Sequence, residues 1–239
     1  MTQRYMDRDP RSCRVSVVFD RDGTLVDWSE MFLRFVLDLH RQERVRPPLR
    51  EEILGVAYWQ AIMGGELYIG SVRVRDRVDD VVRRYMHYAT LYPGVAATLT
   101  ALAAAGVRMA LVSAWVGTGP TTALLERHGV RHHFASVLTR DDLSEHERDY
   151  DDVTAKSTLA GRALMDMKHL ASNPLYVVGD SPADVQVGRI LQAGVVGVRT
   201  GNGVRLRATA PEGPDVLLAS AASLGRLLLG KKDRTDASG

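Results

Sequence analysis

The sequence predicts an α/β fold, a doubly wound and mainly parallel sheet, interrupted near its start by an inserted all-helical block. Three observations carry this. Val15–Phe19 is an apolar, β-branched run, the signature of a buried strand. From Tyr92 onward, short apolar runs alternate with helical patterns, which implies parallel strands joined by crossover helices. Between these two regions, Asp27 to about Thr90 has helical spacing and no strand alternation.

Taken in order, residues 1–14 are polar and predicted to be flexible. The first strand ends at Asp20. In the helical block, Phe32, Val36 and Leu39 share one face, and Pro47-Pro48 breaks the pattern. A second helix is predicted from about Arg50 to Met63, stopped by Gly64-Gly65, and a third from about Ser71 to Ala89. Val95, Leu99 and Leu102 line a helix that stops at Gly106. Val107–Val112 reads as a strand ending in Ser113, Thr121–His128 as a helix, and Phe134–Leu138 as a short strand. The acidic stretch Asp141–Asp152 reads as loop, and Val153–Leu170 as helix. Leu175–Val178 is a strand running into Gly179-Asp180, after which Ser181 and Pro182 open a helix as N-cap and first residue. That helix is predicted to close at Gly194. Val195–Val198 and Val216–Leu218 complete the strands, and residues 230–239 are predicted to be flexible. The predicted domains are a catalytic core over 15–26 with 91–229 and a helical insertion over 27–90.

Basic and acidic residues nearly balance, with a net charge of +2. The arginine-rich run from Arg73 to Arg84 is interrupted by Asp76, Asp79 and Asp80, so it reads as a solvated helix face rather than a nucleic-acid footprint. A single cysteine, Cys13, excludes an internal disulfide and suits a reducing compartment. No apolar run is long enough to span a bilayer, and the N-terminus lacks a signal-peptide core. The expectation is a cytoplasmic protein without nucleic-acid or membrane partners. The sequence does not specify its oligomeric state.

In a parallel sheet the strand ends share one rim, and ligands bind there. Asp20 and Asp22, Ser113, the loop after Leu138 and Asp180 fall on that rim, with Lys156 nearby. A buried strand ending in two acids needs compensating charge, which a hard cation such as Mg²⁺ supplies. Gly23 permits the turn and Thr24 adds a hydroxyl. Phosphoryl transfer through a covalent aspartate needs this inventory. One carboxylate attacks phosphorus, a second moves the proton, and a metal, a hydroxyl and an ammonium hold the phosphoryl oxygens.

Asp20-Arg21-Asp22-Gly23-Thr24, Ser113, Lys156 and Gly179-Asp180-Ser181-Pro182-Ala183-Asp184 together resemble the four motifs of the haloacid dehalogenase superfamily. With the helical insertion, the chain resembles the phosphoglycolate phosphatase-like branch from about Val15 to Leu228. The resemblance implies a Rossmann-like core with strand order 5-4-1-2-3 and a mobile helical cap. It implies that Asp20 is nucleophile and metal ligand, and that Asp22 is general acid/base with its backbone carbonyl on Mg²⁺. Asp180 and Asp184 are then metal ligands, and Ser113 and Lys156 hold the phosphate. Ser157 stands where a proline often follows the family lysine. Lys168 competes with Lys156 but is predicted to lie well inside its helix and close in sequence to Asp180, so Lys156 is preferred. Two readings of Asp184 stay open, metal ligand or capping-box acid three residues after Ser181. Ser113 has a bland alternative as a turn serine. Trp115 either lines a pocket or packs, whereas Tyr58, Trp59 and Tyr68 read as helix-packing residues.

The expected function is a Mg²⁺-dependent phosphatase that hydrolyses a small phosphorylated metabolite through an aspartyl-phosphate. The alternatives are a phosphomutase of the β-phosphoglucomutase type and, outside enzymes, a phospho-accepting or binding module on the same fold.

Overall fold

A computed structural model describes residues 15–203, 206 and 213–230. The flexibility predicted for residues 1–14 and 231–239 concerns positions outside the described residues.

The first strand, β1 (Ser16–Phe19), is buried along its whole length. Its side chains alternate between two cores. Val17 and Phe19 enter the one shared with the inserted block, and Val18 enters a second with Ala155 and Leu159. A strand covered on both faces reads as a continuous apolar run, which is why it was legible.

The chain then passes through β2 (Val26–Asp27) into the inserted block: α1 (Ser29–Glu43), α2 (Arg50–Ile53), α3 (Val56–Gly64), β3 (Tyr68–Ile69), β4 (Val72–Arg73) and α4 (Asp79–Tyr85). It returns through β5 (Thr90–Leu91), which pairs antiparallel with β2, so the two crossings run side by side.

The rest alternates as predicted: α5 (Val95–Ala104), β6 (Arg108–Val112), α6 (Thr118–Arg127), β7 (Phe134–Leu138), α7 (Asp152–Asp166), β8 (Leu175–Gly179), α8 (Pro182–Ile190), β9 (Gly194–Val198), β10 (Val216–Leu218) and α9 (Leu224–Leu229). The six-stranded sheet has the order β10-β9-β8-β1-β6-β7, and every pairing in it is parallel. This is the five-strand order the resemblance implies, extended at one edge by β10. The order reverses at β1, so the carboxyl ends of β8, β1 and β6 flank the crevice where such sheets bind ligands.

Several boundaries differ from the sequence reading. The helix expected from Arg50 to Met63 is two helices, because Gly55 takes an extended conformation between them. The helix expected from Ser71 to Ala89 opens instead as a hairpin strand and a 3₁₀ turn before α4. The hairpin turns at Gly70, whose φ of +58° suits glycine, and Glu43 accepts hydrogen bonds from the Ser71 N–H and hydroxyl, both at 2.9 Å. The acidic stretch before α7 folds into two 3₁₀ turns, each closed by a capping box, Thr139 with Asp142 and Ser144 with Glu147. Helix α7 ends at Asp166, and Lys168 lies past its end at φ +50° rather than inside it. Helix α8 ends at Ile190, and Gly194 opens β9 instead of closing the helix. Its role is packing: a Cβ there would sit 2.8 Å from the Tyr176 ring. None of the described helices is long and apolar enough to cross a membrane.

Candidate active site

The site is built on the loop that follows β1. Gly23 closes that loop at φ +81°, with its N–H on the Val26 carbonyl at 2.9 Å. The fully buried Thr24 turns back and donates its hydroxyl to Asp20 Oδ2 at 3.1 Å. From the other side comes α7. Asp151 caps it by accepting from the Val153 and Thr154 N–H groups, which fixes where the helix starts and carries Lys156 in over the sheet. The Lys156 ammonium is buried between two acids, 2.6 Å from Asp20 Oδ1 and 2.6 Å from Asp184 Oδ1.

The capping-box reading of Asp184 holds, and its other carboxylate oxygen turns toward the site. Its Oδ2 closes the capping box of α8, accepting from the Ser181 N–H and hydroxyl at 3.0 and 2.6 Å, while Oδ1 meets Lys156. Asp180 directly follows β8 and accepts from the Asn202 N–H at 2.6 Å. Ser113 is buried at the end of β6, where its Oγ accepts from the Trp115 N–H at 3.1 Å, and it also faces the cavity. Lys168 is elsewhere. Its carbonyl accepts from Arg108 at the start of β6, on the opposite rim of the sheet.

Asp20, Asp180 and Asp184 offer carboxylate oxygens within 4.8 Å of one another, all buried. Burial, then the neighbouring acids Asp184 and Asp22, push the Asp20 carboxyl up against the opposing pull of Lys156. Burial and the Asp20 charge push Asp180 up to about 8. Burial alone would lower the Lys156 ammonium, but Asp184 and Asp20 outweigh it and hold it above its ordinary value. One ammonium among three buried carboxylates leaves a surplus of negative charge. A hard divalent cation with oxygen ligands fits that donor set, and Asp20, Asp180 and Asp184 are the residues placed to hold it.

Asp22 is handled separately. Arg21, fully buried, donates its Nε to Asp22 Oδ2 at 2.8 Å, and its Nη2 lies 2.7 Å from the same oxygen as an ionic contact without hydrogen-bond alignment. Its Nη1 donates to the Val116 carbonyl at 2.9 Å and to the Thr121 hydroxyl at 2.8 Å. Asp22 Oδ1 is buried without a partner.

Above the rim lies a cavity of about 340 Å³. Asp20, Asp22, Ser113, Lys156 and Asp180 line one side, and the inserted block contributes Trp59, Met63 and Val78. Trp115 both lines the cavity and packs. Its ring lies 5.7 Å from Trp59 and its Nε1 donates to Asp79 at 3.0 Å. Trp59 packs on Phe32 and Trp28, each at 5.5 Å, but it also reaches the cavity, which the packing reading of the sequence did not foresee. Tyr58 packs on Phe32 as expected, whereas Tyr68 is exposed.

Sequence reasoning missed the anchoring role of Arg21, and it missed Asn202 and Gly201 altogether. A Cβ on Gly201 would stand 2.2 Å from Asp180 Oδ2 and 2.4 Å from the Gly23 Cα, and its φ is +57°. Gly201→Ala is therefore expected to lower the unfolding free energy by about 1–3 kcal/mol, measured by denaturant titration. An unchanged midpoint would mean that the two loops part without strain.

Residues 17–198 match the haloacid dehalogenase-like hydrolase family. The chain belongs to that family. A phosphoglycolate phosphatase of Rhodospirillum rubrum is 30% identical over 226 residues, covering 88% of this chain and 89% of the relative. One from Vibrio parahaemolyticus is 28% identical over 187 residues, 71% of this chain and 76% of the relative. A solved structure described as a predicted phosphatase from Clostridium acetobutylicum superposes with a TM-score of 0.67 at 18% identity, over 90% of this chain and 98% of that one. At that identity the likeness speaks for the fold alone. As a haloacid dehalogenase-like hydrolase, the chain is an enzyme, and the matched curated relatives are phosphatases.

Proposed function

We propose that this enzyme is a Mg²⁺-dependent phosphatase that hydrolyses a small phosphorylated metabolite through an aspartyl-phosphate on Asp20. The observation that carries this is the placement of Asp20 and Asp184 on either side of one buried ammonium, with Asp22 and Asp180 on the same rim. Asp20 is the attacking carboxylate. Its Oδ2 is oriented by Thr24 and its Oδ1 by Lys156. Asp22 protonates the leaving alkoxide and then takes a proton from the water that hydrolyses the acyl phosphate. Ser113 and a remaining N–H of Lys156 hold the phosphoryl oxygens as their charge shifts. Asp20, Asp180 and Asp184, with the Asp22 backbone carbonyl, would hold Mg²⁺, which would supply charge that offsets repulsion between nucleophile and phosphate. Residues 27–90 form a cap that excludes bulk water and selects the substrate. The names of the curated relatives support a small phosphorylated substrate.

The test is release of inorganic phosphate across a panel of phosphorylated metabolites, with Mg²⁺ and after exhaustive chelation. Turnover with Mg²⁺ and its loss on chelation are expected. Full turnover after chelation would overturn the metal-dependent reading.

A second expectation concerns stability. Asp20 and Asp180 titrate above the ordinary carboxylate value, so the folded protein without metal holds protons that the unfolded chain has released. Its stability should fall as pH rises from about 4 toward about 8. A cation among these carboxylates offsets the charge that accumulates. Added Mg²⁺ should therefore raise the melting temperature more at pH 8 than at pH 5.5. Equal shifts at the two pH values in thermal scans would refute the assignment of this cluster as the metal site.

A further inference from the structure

We propose that Arg21 is a positioning residue of the proton relay: from inside the core it fixes the direction of the Asp22 carboxyl. The role rests on the phosphatase reading and deepens it. Arg21 stands between the two acids of the loop after β1, yet its side chain is fully buried. A buried guanidinium is costly unless its donors are met. Here it is clamped from behind by the segment that leads from β6 into α6. Nη1 donates to the Val116 carbonyl at 2.9 Å and to the Thr121 hydroxyl at 2.8 Å, and the guanidinium carbon lies 5.9 Å from the centre of the Trp115 ring. The clamp is itself held. The Thr121 hydroxyl donates to the Gly117 carbonyl at 2.7 Å, and the Gly117 N–H donates to Asp141 Oδ2 at 2.8 Å. Arg140 secures the same segment, with its side chain on the Ala114 carbonyl and its backbone N–H on that of Trp115.

A guanidinium is planar, so fixing Nη1 also fixes where Nε and Nη2 face. Both face Asp22 Oδ2, at 2.8 and 2.7 Å. A short carboxyl otherwise able to turn about its side-chain bonds is thus held by one oxygen, and Oδ1 is left to take and give the proton. Asp22 lines the cavity, so the held carboxyl is presented to the reacting atoms. Arg21, being fully buried, acts through Asp22. An arginine that merely stapled this loop to α6 would support every step and the metal site alike. One that aims Asp22 supports only the steps that move a proton.

Rapid mixing of the full chain with 4-nitrophenyl phosphate and Mg²⁺ separates these roles. Nitrophenolate leaves without a proton as Asp20 bonds to phosphorus, so the first step does not call on Asp22. In the second, water bonds to phosphorus, its proton passes to Asp22 and the Asp20 carboxylate departs. Arg21→Met should keep a burst of nitrophenol no slower than about a third of wild-type kcat, while steady turnover falls roughly ten- to hundredfold. In an Asp22→Asn background the same change should alter steady turnover by less than about twofold, because the group it aims is gone. Mg²⁺ affinity, measured by calorimetry, should stay within about threefold of wild type. Should Arg21→Met fail to fold, Thr121→Val decides. It removes one acceptor of the clamp far from the chemistry, and should lower steady turnover roughly three- to tenfold with the burst kept and no effect in the Asp22→Asn background. Burst and steady rate falling together, additive losses with Asp22→Asn, weakened Mg²⁺ binding, or unchanged turnover in the folded variant would each overturn the role of Arg21 and leave the phosphatase reading intact. A wild-type protein that releases neither nitrophenol nor phosphate would overturn that reading, and this inference with it.

Discussion

Asp20→Asn should abolish phosphate release, with a loss on the order of 10⁴-fold or more, because it removes the attacking group itself. An amide is a poor nucleophile and brings no charge to a bound cation. The fold should survive the change. Thr24 and Lys156 both reach the Asp20 side chain, and Lys156 keeps its second partner in Asp184. Removing one of several mutually repelling buried acids should leave the melting temperature of the metal-free protein unchanged or raised. The variant should also carry no label after incubation with a phosphorylated substrate. Near-normal turnover by a folded Asp20→Asn protein would show that another group attacks phosphorus.

Asp22→Asn should separate the two halves of the reaction. An asparagine there still offers an oxygen to Arg21 Nε, which holds the loop, while the proton relay and the charge facing the buried guanidinium are lost. Acid/base help is typically worth about 10²–10⁴-fold. The loss should be felt when the leaving group needs a proton and again when water must be activated. With an aryl phosphate or acetyl phosphate, whose leaving groups need no proton, formation of the acyl phosphate should persist while hydrolysis stalls. An acid-stable, base- and hydroxylamine-labile phosphoprotein should then accumulate, with peptide mapping placing the label on Asp20. A label on any other residue would overturn the mechanism proposed here.

The parts of the fold that were legible share one physical cause. β1, β6 and β9 are buried over most of their length, so their sequences are nearly continuous apolar runs. Phe134–Leu138 and Val216–Leu218 have the bounds read from the sequence. Glycine was the commonest source of error. Gly194 has the look of a helix stop, yet it is glycine because the Tyr176 ring lies against its backbone. Gly55 divides a helix that otherwise has an unbroken helical pattern. In the site, Asp20, Asp22, Ser113, Lys156, Asp180 and Asp184 were legible as chemical types at the ends of recognisable elements. Asn202 was not, because it contributes a backbone N–H, which any residue but proline has. Arg21 was not read as an anchor, because its partners Val116 and Thr121 are about a hundred positions away. Trp59 belongs to a block whose docking against the strand ends follows no local spacing rule.

The aromatic contacts between the inserted block and the sheet have a practical consequence. Trp28, Trp59 and Trp115 are the three tryptophans of the chain, and they form one continuous series, with ring centroids 5.5 and 5.7 Å apart. Trp28 and Trp59 belong to the block, whereas Trp115 follows β6. The protein therefore carries its own optical gauge. Any movement of the block relative to the sheet separates Trp59 from Trp115 and admits water between them, so the colour and intensity of the intrinsic emission follow that movement in real time, without a dye and without altering a single residue.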